Sequence, residues 1–569
     1  MDTRPPLQPD TDIDSQKIKA ARELLLQFVK TAKTVRLYLA NNPIHQKFLT
    51  ELFERFELYL RAYGVLRLKI KQQAFLVDGQ MIYESESRQD NLAFRCYVDG
   101  ISELAFHEGL EQRELVEFIA VVGSEQDPAL ADDDLVSLLW QRDFPHVTTV
   151  VVDDFPDTGV LPDMAQPKEV QLQELAKREM AGIELAKVAG PKRPEMPLTV
   201  FKLTDEEIQQ LKNQLTREQQ RDAVVQLLDM LGVMLEIESD EVSFGELLEI
   251  MGNLVDLFID RGDLAKATSC VEATSRLSGH PAKTAPGFQT RLQEFLLRLG
   301  SPERFQALTV VFNRQKTIEV DQLTRYLTLL PVDAVGPMTE LLGTLNSLQA
   351  RKAVCDVLAQ MAQNKVELIA GRLRDERWYV VRNLIYVMGR VGGPKVIDYL
   401  SPLVRHPEPR VRKELAKTLD AMDAPRVTEL LLELLRDQDG SVRMMVLRAL
   451  GRRKSAKAIA PLAAIIEERQ FAEKALPEKL EVFAALAASG QPEALAVLTR
   501  HLRGSSWWRR TEQEQLRWCA AYGLKQMGTA DALALLEEGS RGRDRSVQEA
   551  CLAALRGTAR EFMLTQARS

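Results

Sequence analysis

Histidine and cysteine are scarce in this chain, and neither is grouped. The 569 residues hold six His (His45, His107, His146, His280, His406, His501) and five Cys (Cys96, Cys270, Cys355, Cys519, Cys551). No two Cys stand at CxxC spacing, and each lies in a helical or strand-like run. Buried free thiols in a reducing compartment are therefore expected, rather than a disulfide framework. No HExxH is present, which removes the zincin class. A strand followed by a GK[ST] phosphate loop and a GxSxG elbow are both missing, and with them go P-loop and α/β-hydrolase nucleophile chemistry. The run Asp132–Asp133–Asp134 could ligate a cation, but three acids at a helix N-terminus are explained by the helix dipole. No stretch approaches the ~18 apolar residues of a membrane span, and the polar start "MDTRPPLQPDTDIDSQ" has no apolar signal core. The expectation is a cytoplasmic, bacterial-style protein that is not an enzyme and holds no cofactor or metal.

What is present is ample apolar material, 45% of the chain, enough to bury a sizeable core in several domains. Charge is uneven. Lys and Arg outnumber Asp and Glu by about 9 over residues 371–569, which leaves about −17 elsewhere against a net charge of −8. Such asymmetry points to a partner with an acidic surface for the C-terminal part, or to the acidic N-terminal part docking there.

Along the chain, residues 16–40 read as a helix from the three-and-four spacing of Ile18, Ala21, Leu25, Phe28, Val29, Ala32, Val35 and Leu39. "NNP" breaks it, with Pro43 suited to the start of the next helix, which carries Phe48, Leu52, Phe56, Tyr59, Leu60 and Tyr63 on one face. At Gly64 the period switches to two, with Leu66, Leu68 and Ile70 on one side of "VLRLKI". Asp78–Gly79 between apolar runs is a hairpin signal. A helix around 111–123, an acid-capped helix at "DDDLVSLLWQRDF" and a strand at 146–154 complete a small α+β domain over 1–155. Residues 156–200, rich in Pro and Gly, read as a linker with a helical segment. Residues 201–332 read as irregular helical hairpins. Thr204 and Glu207 form a capping box, and Arg261–Gly262–Asp263 forms a turn of tetratricopeptide type.

From residue 333 the pattern repeats. Val381, Val411 and Val442 are 30 and 31 residues apart, and each precedes an Arg: Arg382, Arg412, Arg443. Ile385, Leu415 and Val446 follow on the same helix face. A second apolar set comes at Leu400, Leu431 and Leu462, and a third at Leu403, Leu434 and Ile465. "GRVGGPK", "DAMDAPR" and "GRRKSAK" separate the sets. Each unit is thus two short antiparallel helices that cannot bury their apolar faces alone, so stacking supplies the core.

This pattern resembles HEAT repeats, specifically the short bacterial HEAT-like type related to phycobiliprotein-lyase repeats. The resemblance covers about 375–558, with weaker units at 471–503 and 514–540. The fold class it implies is mainly α, a HEAT-like α-solenoid over 333–569 preceded by the small α+β domain. In such repeats the Arg after each Val pairs with an acid at a neighbouring helix start. Glu408, Asp439 and Asp544 stand three residues before their Val, while Trp378 takes that place in the first unit. Di-iron hydroxylases built on HEAT repeats use several His–Glu pairs. Here only His107–Glu108 occurs, outside the repeats, which argues against that activity.

The function expected is a protein–protein interaction scaffold. The candidate contact residues are Arg452, Arg453 and Lys454 at an inter-helix turn, and Trp507, Trp508, Arg509 and Arg510, because Arg beside Trp favours interface anchoring. The same residues suit phosphate contacts and base stacking, so a nucleic-acid-binding array is the alternative. The family resemblance alone adds a lyase or chaperone-like factor for a tetrapyrrole protein.

Overall fold

The computed structural model describes residues 11–35, 43–85, 91–123, 135–142, 144–152, 223–314, 319–363, 365–504, 510–560 and 563. The linker, the capping box at Thr204, the run Asp132–Asp134 and the segment Trp507–Arg509 lie outside them.

The N-terminal domain opens with α1 (Thr11–Val35) and α2 (Pro43–Tyr63). Five strands follow: β1 (Val65–Lys71), β2 (Ala74–Val77), β3 (Gln80–Glu84), β4 (Ile101–His107) and β5 (Val147–Val151). They form one antiparallel sheet in the order β3-β2-β1-β4-β5. The β2–β3 turn holds Asp78 and Gly79 at φ 47° and 81°, the left-handed pair a two-residue hairpin needs. Helices α3 (Leu92–Val98), α4 (Gln112–Val122) and α5 (Leu135–Gln141) complete the domain. Leu66, Leu68 and Ile70 are buried, as the alternation requires. Phe28 of α1, Phe56 of α2, Phe106 of β4 and Phe118 of α4 form an aromatic knot, with Phe56 and Phe106 ring centres 4.9 Å apart. Strand β4 and helix α3 had no clear signature: "ISELAFH" lacks a clean alternation, and its middle position pairs with β1 from 36 residues away.

The helical array begins with α6 (Ala223–Ile237), α7 (Glu241–Asp260) and α8 (Leu264–Ser275). The α7–α8 turn falls at Arg261–Asp263, where the sequence placed it. Then come α9 (Pro286–Leu299), α10 (Pro302–Arg314), α11 (Val320–Thr328), α12 (Val335–Leu342), α13 (Leu348–Ala362) and α14 (Glu367–Ala370). The repeats proper are α15 (Trp378–Val391), α16 (Pro394–Leu400), α17 (Pro409–Ala421), α18 (Pro425–Leu434), α19 (Gly440–Arg453) and α20 (Ile459–Glu467). They continue as α21 (Leu476–Ala488), α22 (Pro492–Arg503), α23 (Arg510–Met527), α24 (Ala530–Ser540) and α25 (Arg545–Arg556).

One layer is a continuous stack: α8 packs on α11, α11 on α13, α13 on α15, and so on through α17, α19, α21, α23 and α25. From α12 on, the shorter even-numbered helices form the second layer. Val381, Ile385, Leu400, Val411, Leu415, Leu431, Val442, Val446 and Leu462 are all fully buried between the layers. Burial of that kind stabilises by roughly 25 cal/mol per Å² of apolar surface, which is what repetition of the unit provides. The Gly392–Gly393 break has φ 68° and 92°, a conformation L-residues rarely adopt, and it reverses the chain between α15 and α16. All five cysteines are free and buried, and burial pushes the thiols of Cys96, Cys270 and Cys519 up to about 12.

Candidate partner-binding surfaces

Charges at the start of each long helix come first, because the sequence singled them out. Arg412 forks onto Asp437, with Nε–Oδ2 at 2.6 Å and Nη2–Oδ1 at 2.7 Å, and its Nη1 donates to the carbonyls of His406 and Pro407. Arg443 repeats this one unit on, with Glu478 at 2.7 Å and the carbonyls of Asp437 and Gln438. Both guanidinium groups are held above their ordinary range by these hydrogen bonds. Burial pushes the Glu478 carboxyl up, but hydrogen bonds from Arg443 and Lys474 outweigh it and hold the group below the usual range.

Arg412 and Arg443 thus bind acids at or just before the next helix start, but not the acids expected, whereas Asp544 does meet an arginine of the preceding unit, Arg517, at 3.4 Å. Glu408, Asp439 and Asp544 each cap their own helix, accepting from the backbone N–H groups of Arg410, of Ser441 and Val442, and of Ser546 and Val547. A carboxylate at the N-cap answers orphan N–H groups and the dipole together. Arg382 of the first unit departs from the pattern and lines a small cavity between the domains, described below. The sequence pattern missed Lys479, which takes the arginine's place in α21: it is buried, and donates to the Ala472 carbonyl at 2.7 Å and to Gln515 at 2.8 Å. Its signal was position, the fourth residue of the helix, rather than identity.

The turn "GRRKSAK" is next. Arg453 is mostly buried, and its Nη1 donates to the carbonyls of Asp420 and Met422, closing the C-terminus of the preceding long helix. Arg452 pairs with Asp420 at 2.6 Å, just as Arg390 pairs with Asp356 two units earlier. Only Lys454 of the three makes no pair; it sits at φ 49° as the left-handed end of α19. Trp507, Trp508 and Arg509 fall outside the described residues, and of Arg510 only its place at the start of α23 is described.

A third set of pairs links the short helices of successive units: Glu367–Lys395, Asp398–Arg426, Glu429–Lys457, Arg405–Glu433, Arg436–Glu468 and Arg500–Glu467. These exposed pairs are worth little each, but they occupy six of the basic side chains of the C-terminal array.

The N-terminal domain docks on the stacked layer. Edge strand β5 lies along the start of α13: the Val151 N–H donates to the Asn346 carbonyl at 3.0 Å, and Gln349 Nε2 donates to the Val147 carbonyl at 2.7 Å. The solenoid thereby closes one open sheet edge. Trp140 of α5 meets Tyr386 of α15 edge to face, 5.5 Å between ring centres. The cavity beside this contact is lined by Ser137, Trp140, Arg382, Asn383, Glu414 and Lys417. Docking is therefore by backbone hydrogen bonds and aromatic packing at α13–α15, upstream of the most basic stretch.

One surface had no sequence signal beyond "helical". Helix α6 exposes Val225, Leu227, Met230, Val233, Met234 and Ile237, at 40% to 75% of their full area, and α7 adds Val242, Ile250 and Leu257. Among the described residues no cluster of three His, Cys, Asp or Glu side chains could hold a metal ion, and no helix is long and apolar enough to cross a membrane.

These features define an α-solenoid of paired helices with a small α+β domain locked to its flank. Residues 402–476, spanning α17 to the start of α21, match the family model for HEAT repeats, so the array is of HEAT type there. No curated protein matches the chain in sequence. Among solved structures, an engineered protein is similar over 59% of this chain and 99% of its own, at 16% identity and TM-score 0.24. Human deoxyhypusine hydroxylase is similar over 51% of this chain and 96% of its own, at 17% identity and TM-score 0.18. A Kap121p mutant is similar over 94% of this chain and 56% of its own, at 12% identity and TM-score 0.31. At such scores these likenesses say nothing of function.

Proposed function

We propose that this protein is a non-enzymatic scaffold that binds another protein through its HEAT-type array, and that it works in the cytoplasm. The observation that carries the reading is the pairing of charges between units. A nucleic-acid-binding array needs a continuous strip of cations free to displace counterions from phosphates. Here Arg390, Lys395, Arg405, Arg412, Arg426, Arg436, Arg443 and Arg452 each pair with an acid, seven of them on a neighbouring unit. The exposed cations outside such pairs, among them Arg374, Lys454, Arg469, Lys525, Arg541 and Arg556, are spread along the chain from α14 to α25 rather than gathered in one run. The paired charges rigidify a surface of fixed shape, which suits a protein partner. The 30- and 31-residue spacing favours the short bacterial HEAT-like type, while a tetrapyrrole-protein lyase role rests on that resemblance alone.

The test is crosslinking of the full chain in a nuclease-treated lysate, with mass spectrometry of the crosslinked peptides, beside titration with DNA and RNA at two salt concentrations. A protein partner crosslinked to the array is expected, with nucleic-acid binding that vanishes near physiological salt. Tight DNA or RNA binding that persists there, with no protein crosslink, overturns the reading.

A further inference from the structure

Helix α6 is apolar on two faces. Leu228, Leu231 and Leu235 are buried and face α7 and α8. A second stripe, Leu227, Met230, Met234 and Ile237, is exposed, and its steps of three, four and three residues are the seam spacing on which another helix packs. A helix apolar all round is normally buried. With Val225 and Val233 the stripe presents on the order of 500 Å² of apolar surface, near the top of the ~300–600 Å² range for the largest patch of a monomer. It stands at the first described turn of the array, where a stack of repeats needs a polar cap.

The charge around the stripe says what covers it. Helices α6 and α7 contain seven Asp and Glu and no Lys or Arg. Asp229, Glu236, Glu246 and Glu249 are all exposed. A second copy laid on the stripe would set one acidic helix pair against another, which disfavours a symmetric dimer. Phosphate backbones and anionic lipids are repelled by the same acids. Met230 and Met234 add flexible side chains that adapt to a partner's shape. We propose that the α6–α7 face is a docking groove for a basic amphipathic helix of a protein partner. The proposal rests on the scaffold reading in that the chain acts by binding protein, but it assigns a face separate from the repeats α15–α25.

The probe is a labelled Leu/Lys amphipathic helix of about 18 residues, titrated into the full chain by fluorescence anisotropy, beside a scrambled peptide and a Leu/Glu counterpart. The Leu/Lys helix is expected to bind about tenfold or more tighter than either control, and to weaken severalfold when salt rises from about 50 to about 300 mM. Met230→Glu with Ile237→Glu should remove that preference while leaving the circular-dichroism melt in place. Glu236→Lys with Glu249→Lys should shift preference toward the Leu/Glu helix. Absence of preference in the parent chain, or undiminished binding by the Met230→Glu, Ile237→Glu variant, overturns the assignment. So does a sedimenting dimer that this variant dissociates, since a second copy then covers the face. If the groove fails while crosslinks to α15–α25 survive in the variant, only the groove is lost and the scaffold reading stands.

Discussion

Removing Arg412 should damage the array far more than removing an equally well-formed surface pair. Arg412 and Asp437 have side chains only 12% and 4% exposed. Truncating Arg412→Ala leaves Asp437 with the Asp439 N–H as its remaining donor and leaves the His406 and Pro407 carbonyls without theirs. Breaking a buried pair from one side costs about 3–5 kcal/mol, because an uncompensated charge stays behind. Arg426→Ala is the control: its pair with Asp398 is 54% and 64% exposed, where ~0–1 kcal/mol is the usual range. Hydrogen exchange of the α17–α19 amides is the suitable assay, since a long repeat array need not unfold in one step. Protection there should fall by two to three powers of ten in Arg412→Ala, from about 1.4 kcal/mol per power of ten, and hardly at all in Arg426→Ala. Replacing both partners, Arg412→Met with Asp437→Leu, should recover much of the loss. Equal protection in the two single variants would refute the claim that the buried ladder locks the units.

Other outcomes follow from the same geometry. Deleting residues 406–436 should leave a helical, less stable array, whereas Leu431→Asp, an unpaired charge at a fully buried position, should be worse in urea melts. Gly109→Ala should destabilise the N-terminal domain by about 1–3 kcal/mol, because φ is +95° and the new Cβ would stand 2.8 Å from the His146 ring; a melt equal to the parent's would count against this. His107, His406 and His501 are all held below the ordinary histidine range, chiefly by burial. Their unfolded forms bind protons first, so stability should be full above about pH 6.5 and fall as pH drops through the lower folded values. His501→Gln should flatten part of that slope between pH 7.5 and 5.5, judged by thermal melts. Arg452→Ala should leave partner affinity and stability nearly unchanged, while Arg453→Ala should lower the melting temperature, because only Arg453 closes a helix end.

The repeat was legible because it is local and periodic. Val381, Val411 and Val442 recur with their apolar partners at helical spacing, and only burial against a neighbour explains that recurrence. The hairpin at Asp78–Gly79 and the alternation of β1 were legible for the same reason: turn chemistry and pleat act over a few residues. Which acid an arginine meets is not local. Asp437 lies 25 residues after Arg412 and Glu478 lies 35 after Arg443, so the pairing depends on how one unit is set against the next. Arg453 looked like a surface contact in sequence and became a helix-end cap because the preceding unit's carbonyls come within its reach. Strand β4 was hidden because its partners are distant and its pattern irregular. The open face of α6 was hidden too, since an apolar stripe in a sequence does not say whether a neighbour covers it. The amino-acid pattern by itself determined that the chain forms an array of paired helices behind a small α+β domain. Only the tertiary structure decided which charges are spent inside that array and which apolar surface is left outside it, because burial is a property of neighbours, not of residues.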